Sequence, residues 1–508
     1  MSAGASPPPG APRGAIPPPG TPSGAFLAPV ATLGLSTKAF FDGVREALAA
    51  GARPVTFYGQ AADDPAGLTL TMVLASEGRL RVLRGEVDRS HGFHSLTRDH
   101  PALHVFEREI HEQHGVKPHD HPWLKPVRFP AGEAGAMDRY PFHTVDGKEV
   151  HEVAVGPIHA GVIEPGHFRF MCLGETVHHL EIQLGYQHRG AEALLLRGDP
   201  RRLTPLIETI AGDASVAHAW AHADALEALA GLPPAAELDL HRGVGLELER
   251  IGMHLAGLSG LANDVAFLQG AASYGRLRTT VINSTMLGCG SRFGRGWVRP
   301  GAVRAGLPAG VLAEIRQNLD LVARDVAIID ARLVGSLSVR HRLEQVGVVT
   351  RAQAEELGLV GLPARASGVA LDLRAAMPGP LYAAHPVATV VEPAGDCWAR
   401  AMVRVREIGE SIRWIRAALD GRAELGPSSA PLGALAPGML AVGVRESWRG
   451  EVVHALETDG KGRLRAYRVQ DPSLRNWHGL AMAVRGNDVS DFPICNKSFD
   501  LSYCGNDL

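Results

Sequence analysis

The stretch Ile207-Glu208-Thr209-Ile210-Ala211-Gly212-Asp213-Ala214-Ser215-Val216-Ala217-His218-Ala219-Trp220 decides how this chain is read. It sits in an apolar pattern over residues 204–230 that predicts a helix. On a helix, positions 211, 214 and 218 fall at i, i+3 and i+7 and share one face. That face offers two methyl groups and one imidazole, with Asp213 one position away from it. The chain ends in Ser498-Phe499-Asp500-Leu501-Ser502-Tyr503-Cys504-Gly505-Asn506-Asp507-Leu508, with two carboxylates, one thiol and little else that holds a ligand.

Composition sets the surroundings. A chain of 508 residues, 45% hydrophobic and 21% charged, buries a sizeable core and divides into more than one domain. A formal charge of −3 argues against a nucleic-acid binder, which carries a basic excess. The five cysteines (172, 289, 397, 495 and 504) are spread out, with no Cys-x-x-Cys pair, so neither a disulfide framework nor a structural zinc site is expected. This usage fits a reducing compartment. No apolar run reaches the roughly 18 residues a membrane helix needs, so membrane association is expected to pass through partners. No Gly-rich turn after a strand marks a dinucleotide site.

Outward from the opening stretch, the organisation is that of an α+β protein. A small N-terminal α/β domain precedes a large domain with a central helical bundle flanked by small β-sheets. Residues 1–24 read as a Pro/Gly-rich disordered tail. Residues 25–130 form the small domain. A helix is predicted over Ala39–Leu48, and β-leaning runs over Leu68–Leu74 and Leu80–Leu83 flank the turn Ser76-Glu77-Gly78. Residues 131–150 read as a linker and 151–508 as the large domain. There a strand is expected at Val177–Leu184, and helices at about 204–230, 236–268, 310–335 and 396–420. Short β runs around Asp459-Gly460 close the pattern. His119-Asp120-His121 reads as a solvated loop rather than a metal cluster.

Several motifs carry a resemblance. They are Gly156-Pro157-Ile158-His159, Ile163-Glu164-Pro165-Gly166-His167-Phe168, Tyr186-Gln187-His188-Arg189-Gly190, the opening stretch, and Arg485-Gly486-Asn487-Asp488-Val489-Ser490-Asp491 with the C-terminal run. Together they resemble the family of NiFe-hydrogenase large subunits and the respiratory complex I 49 kDa subunit. Glu107-Arg108-Glu109 through His121-Pro122-Trp123-Leu124 resembles the complex I 30 kDa subunit, so the chain reads as a fusion of the two. Hydrogenases place four metal-binding cysteines where this chain has Ala211, Ala214, Ser502 and Gly505. Nickel needs soft thiolate donors in such a site, so the resemblance implies a relative without a nickel–iron centre. The complex I branch's quinone-contacting tyrosine and histidine fall near Ile210 and Ile163, so quinone remains open as a ligand. The chain stops without the extension that nickel hydrogenases usually lose on maturation.

The same resemblance assigns Glu164 the position of a proton-passing glutamate. It implies that His167, His218 and Asp500 line the relic cavity, and that His188 and Arg189 face a partner's iron–sulfur cluster. On the helix at 396–420, Arg400, Arg404, Glu407 and Ser411 form a polar stripe. Its alternatives are a solvated face and a buried proton-coupling array, in which Arg404 and Glu407 pair at i, i+3. The expected function is that of a peripheral-arm subunit of a complex-I-like, energy-converting-hydrogenase-related membrane oxidoreductase. It would couple electron transfer to proton movement on the cytoplasmic face. The expected partners are an iron–sulfur small subunit and integral membrane subunits of the proton-pumping type, with NAD on another subunit. The alternatives are a non-catalytic scaffold and a hydrogenase with atypical ligands.

Overall fold

The computed structural model describes residues 25–508 except 131–134, 146, 148, 162 and 304. The segment 1–24 and part of the 131–150 stretch lie outside the described residues. Strands Arg53–Ala61, Gly67–Ser76 and Arg79–Asp88 form an antiparallel sheet, with Gly34–Leu35 added parallel at one edge. The predicted turn is a hairpin in which Glu77 and Gly78 both take the left-handed region, at φ 51° and 71°. Helices Thr37–Ala49 and His104–His114 cover one face through Phe40, Val44, Phe106 and Ile110. Gly115, left-handed at φ 70°, ends the second of them.

The first strand, Ala25–Pro29, does not join this sheet. It pairs antiparallel with Met439–Glu446 at the edge of a sheet completed by Glu451–Thr458 and Leu464–Gln470. The small unit's other face packs on that sheet: Val55, Tyr58, Val73 and Val82 meet Leu440, Val442 and Val453. Arg84 bonds Glu457 and Arg53 bonds Glu451 across the contact. The two units are therefore joined by a shared strand, an apolar layer and buried ion pairs. A separate antiparallel sheet, Val150–Val155, His167–Leu173 and Thr176–Gln183, lies beside the C-terminal helices.

The helical body contains Ser215–Leu229, Ala236–Asp264, Leu268–Cys289, Ala309–Gly335 and Cys397–Ala418. Two expectations need correction. The helix expected over 204–230 is broken: a single turn, Thr204–Ile207, is followed by turns, and the main helix starts only at Ser215. Ala211 and Ala214 therefore lie in a loop, not on a helix face with His218. Arg189 and the Ser215 hydroxyl take the carbonyls of Thr209, Glu208 and Gly212, so those carbonyls need no helical partner. The helix expected over 236–268 ends at Asp264, where Ala266 turns left-handed at φ 57°. The helix Leu268–Cys289 escapes the apolar pattern because its buried face includes Gly270, Ser284, Thr285 and Gly288.

Candidate functional site

The last residues are held by the His-Arg-Gly turn. Asp507 accepts from the N–H groups of Gly185 and Gln187, each at 2.8 Å. The His188 ring sits 2.7 Å from the Asp507 carbonyl, and the Arg189 N–H donates to the Leu508 carbonyl at 2.9 Å. The Arg189 guanidinium reaches the carbonyls of Thr209 and Cys504, tying the opening stretch to the C-terminus. Both side chains are engaged within the chain by these contacts. Gly190 is left-handed at φ 65°, a conformation that favours glycine.

The four positions of the resemblance converge, and they are closed. Ala211 and Ala214 are buried against Met253, Trp448 and Phe293. The buried Ser502 hydroxyl accepts from the Gly505 N–H at 2.9 Å. A Cβ added at Gly505 would lie 2.6 Å from the Asp471 carboxyl carbon. Arg449 binds both Asp213 oxygens at 2.6 and 2.7 Å, donates to the Asp500 carbonyl at 2.6 Å, and lies 3.9 Å over the Trp448 ring. The nearby thiol, Cys504, is pushed up to about 11 by burial and then by Glu164, so it rests as a thiol at neutral pH. Two methyls, a capped hydroxyl, a bare hydrogen and an adjacent guanidinium do not fit a nickel–iron centre. Among the described residues, no group of three or more His, Cys, Asp or Glu is placed to hold a metal ion. Gly505→Ala is expected to destabilise the chain by about 1–3 kcal/mol through overpacking, read from urea unfolding. A neutral result would mean that Asp471 has room to move.

Around this frame, Glu164 is exposed beside Cys504, and burial pushes Tyr503 up to about 12. His167 is half-buried; burial lowers its ring, which packs 5.1 Å from Phe142. Asp500 ends the helix Phe492–Phe499 in the left-handed region, with Oδ2 3.8 Å from Arg404. His218 is fully buried. Its Nε2 lies 3.1 Å from Asp471 Oδ2, and its Nδ1 lies 3.1 Å from His454 Nε2. His121, expected in a solvated loop, has a buried ring 3.2 Å from the His104 carbonyl.

The stripe of Arg400, Arg404, Glu407 and Ser411 is buried throughout, but the expected Arg404–Glu407 pair does not form. Glu407 instead binds Arg365 at 2.8 Å and His254 at 2.7 Å. Arg404 donates to the Ser498 carbonyl, and Arg400 to the Ser498 hydroxyl and the Gly347 and Gly395 carbonyls. Glu407 belongs to a larger cluster. Arg365 also binds Glu446 at 2.6 Å. Glu247 accepts from Arg250, Arg374, Tyr382 and Ser411, and Arg374 is bidentate to Asp372. Sequence reading missed Glu247, Arg365, Asp372, Arg374 and Glu446 as a group. Their only sequence signal is that acids and arginines recur within otherwise apolar segments.

Burial pushes the Glu407 carboxyl up, but Arg365, His254 and Arg250 hold it well below the usual range. Burial also raises Glu446, and Asp372 adds to that rise against Arg365. Three guanidiniums, Arg250, Arg365 and Arg374, thus face four carboxyls, Glu247, Asp372, Glu407 and Glu446.

Residues 264–431 match the family described as the respiratory-chain NADH dehydrogenase, 49 Kd subunit. NADH-quinone oxidoreductase subunit 4 of Thermus thermophilus is 30% identical over 386 residues, covering 69% of this chain and 92% of that protein. The chain belongs to this complex I 49 kDa family. Formate hydrogenlyase subunit 5 of Escherichia coli is 28% identical over 444 residues, covering 83% of this chain and 78% of that protein. That is more than residues 151–508 supply, so the likeness runs into the N-terminal unit. The solved structure of the membrane-bound sulfane sulfur reductase, an archaeal respiratory membrane complex, shares the fold. Its TM-score is 0.65 at 23% identity, over 72% of this chain and all of the other. No helix among the described residues is long and apolar enough to cross a membrane.

Proposed function

We propose that this chain is the large peripheral-arm subunit of a complex-I-like membrane oxidoreductase that works without a nickel–iron centre. The observation that carries this reading is the closed frame: Ala211, Ala214, Ser502 and Gly505 are packed, capped or blocked, and Arg449 is bound to Asp213 beside them. Relatives named as NADH-quinone oxidoreductase and formate hydrogenlyase subunits support its place in such an assembly. Electrons enter and leave through partners: an iron–sulfur subunit near His188 and Arg189, with NAD on a further subunit and a quinone or another acceptor outside the closed frame. Integral membrane subunits hold the assembly at the cytoplasmic face.

This chain contributes the proton response. Glu446, its carboxyl raised by burial against the pull of Arg365, is the member of the cluster that takes up a proton most readily. A negative charge arriving in a neighbouring subunit raises proton affinity there, because like charge disfavours the ionised carboxyl. The test is to purify the complex from its membrane and measure its metals and subunits. Iron, a co-purifying iron–sulfur subunit and nickel far below one atom per chain are expected. About one nickel per chain would overturn the reading.

A second reading, a coupling scaffold with all chemistry in other subunits, draws on the apolar packing of Ala211 and Ala214 against Met253 and Trp448. Glu446→Gln separates the two. A loss of turnover of about 100-fold supports the proton response of the buried cluster. Unchanged turnover supports the scaffold.

A further inference from the structure

The buried side chains Asp471, His218, His454, Tyr467 and His222 form one unbroken file. Its links are Asp471 Oδ2 to His218 Nε2 at 3.1 Å, His218 Nδ1 to His454 Nε2 at 3.1 Å, His454 Nδ1 to Tyr467 Oη at 3.0 Å, and Tyr467 Oη to His222 Nδ1 at 2.6 Å. All five residues are at most 2% exposed. The file follows from the fold. His218 and His222 are four apart on the helix Ser215–Leu229 and share its face. His454 pairs with Val469, so Tyr467, two residues away, shares the face of that sheet with His454.

One end lies at the closed frame, where Asp471 fills the space a side chain at Gly505 would need. At the other end, His222 Nε2 is buried with no hydrogen-bond partner. The Pro200 carbonyl faces that ring, and Pro200 lines a surface cleft of about 800 Å³ with Asp199, Arg201, Lys461 and Arg465.

The carboxylate sets the direction of every bond. Burial pushes Asp471 up, but His218 and Arg449 hold it below the ordinary range, so it is an acceptor only. His218 Nε2 must then donate, and its Nδ1 must accept from His454 Nε2–H. His454 Nδ1 accepts the Tyr467 O–H, and the Tyr467 oxygen accepts from His222 Nδ1–H. The one open lone pair is His222 Nε2, at the cleft end.

We propose that these five residues are a proton relay between the cleft beside Pro200 and the closed frame. A proton added at His222 Nε2 finds the Pro200 carbonyl. The Nδ1 proton of His222 passes to the Tyr467 oxygen, and the Tyr467 proton to His454 Nδ1. The His454 Nε2 proton goes to His218 Nδ1, and the His218 Nε2 proton to Asp471. One proton enters, one arrives, every hydrogen bond reverses, and Asp471 ends neutral beside Ser502 and Gly505. The relay rests on the function proposed above only for the redox event that it serves.

The test uses the purified complex with ¹⁵N-labelled histidine. Solid-state NMR is expected to find His218 and His454 as Nε2–H tautomers and His222 as Nδ1–H, each assigned by loss of its signal in a His→Gln variant. Any other pattern overturns the relay. Proton uptake is then followed with the dye pyranine after reduction by dithionite. Tyr467→Phe, which deletes only the bridging oxygen, is expected to slow uptake about ten-fold or more while the optical change of reduction stays the same. Equal uptake rates overturn the relay. If Tyr467→Phe fails to assemble, the tautomers of the native complex decide. If native complex takes up no proton on reduction, the function above fails, and the tautomers still judge the relay.

Discussion

Replacing Arg365 with leucine is expected to remove about 3–5 kcal/mol of stability, because it strips the counterion from two buried carboxylates at once. Arg365 is wholly buried, with Nε 2.8 Å from Glu407, one terminal nitrogen 2.6 Å from Glu446, and a further bond to the Leu371 carbonyl. Without it, Glu407 keeps His254, with Arg250 only at 3.7 Å, and Glu446 loses its one guanidinium partner. The comparison variant is Arg413→Leu, whose guanidinium is half-exposed and paired with Glu410. That pair is expected to matter by less than about 1 kcal/mol. Urea unfolding at neutral pH reads both. A similar small loss for the two variants would mean that the Arg365 cluster relaxes or admits water. Glu407→Gln added to Arg365→Leu is expected to recover part of the loss, since it removes one of the stranded charges.

The fold was legible where local chemistry decides it. The hairpin at Ser76-Glu77-Gly78 and the long helices at Ala309–Gly335 and Cys397–Ala418 each have a period or a turn signal written in adjacent residues. Long-range choices were not legible. Ala25–Pro29 has no local signal that sends it to Met439–Glu446, more than four hundred residues on. The break before Ser215 depends on Arg189, from a different element, taking the Thr209 carbonyl.

The site divides in the same way. The convergence of the opening stretch with the C-terminal run was readable from motifs, and the polar stripe of Arg400, Arg404 and Glu407 from helical spacing, which left both a solvated and a buried face open. The partners of the stripe were not readable. A pair at i, i+3 is the natural reading of Arg404 and Glu407, yet tertiary packing brings Arg365 and His254 to Glu407, and the Ser498 carbonyl to Arg404. Asp471 and Tyr467 carried no motif. Only the meander that sets Met439–Glu446 and Glu451–Thr458 against the helix Ser215–Leu229, with Leu464–Gln470 paired beside them, makes Tyr467 and the following Asp471 neighbours of His222 and His218.

The same cluster predicts how the purified chain responds to acid. Burial raises Glu407, Glu247 and Asp372, but their guanidinium neighbours reverse the effect. Glu407 is held well below its ordinary value of 4.5, Glu247 is lowered, and Asp372 falls from 3.8 to about 2. A carboxyl lowered on folding contributes stability above its unfolded value and loses it as pH falls through its folded value. These three therefore destabilise the fold progressively from about pH 4.5 toward 2, and Asp372 alone accounts for on the order of 2 kcal/mol. The buried His254 and His222, lowered by burial to about 4 and about 3, add loss in the same direction as pH falls from 6.5. Glu446, Glu249 and Asp224 are raised by burial, the last two to about 8 and about 7. Their contribution is present at low pH and fades as pH rises, so below about pH 4 they no longer oppose the loss. Arg374→Met isolates the ion-paired part, because Arg374 serves both Asp372 and Glu247. Against the native chain, the variant is expected to be less stable by about 3–5 kcal/mol at pH 7, with the gap narrowing by about 2 kcal/mol near pH 2.5 as its carboxyls protonate. Urea midpoints at pH 7, 5, 4 and 2.5 test this. A gap of constant size across that range would show that Arg374 contributes packing rather than charge.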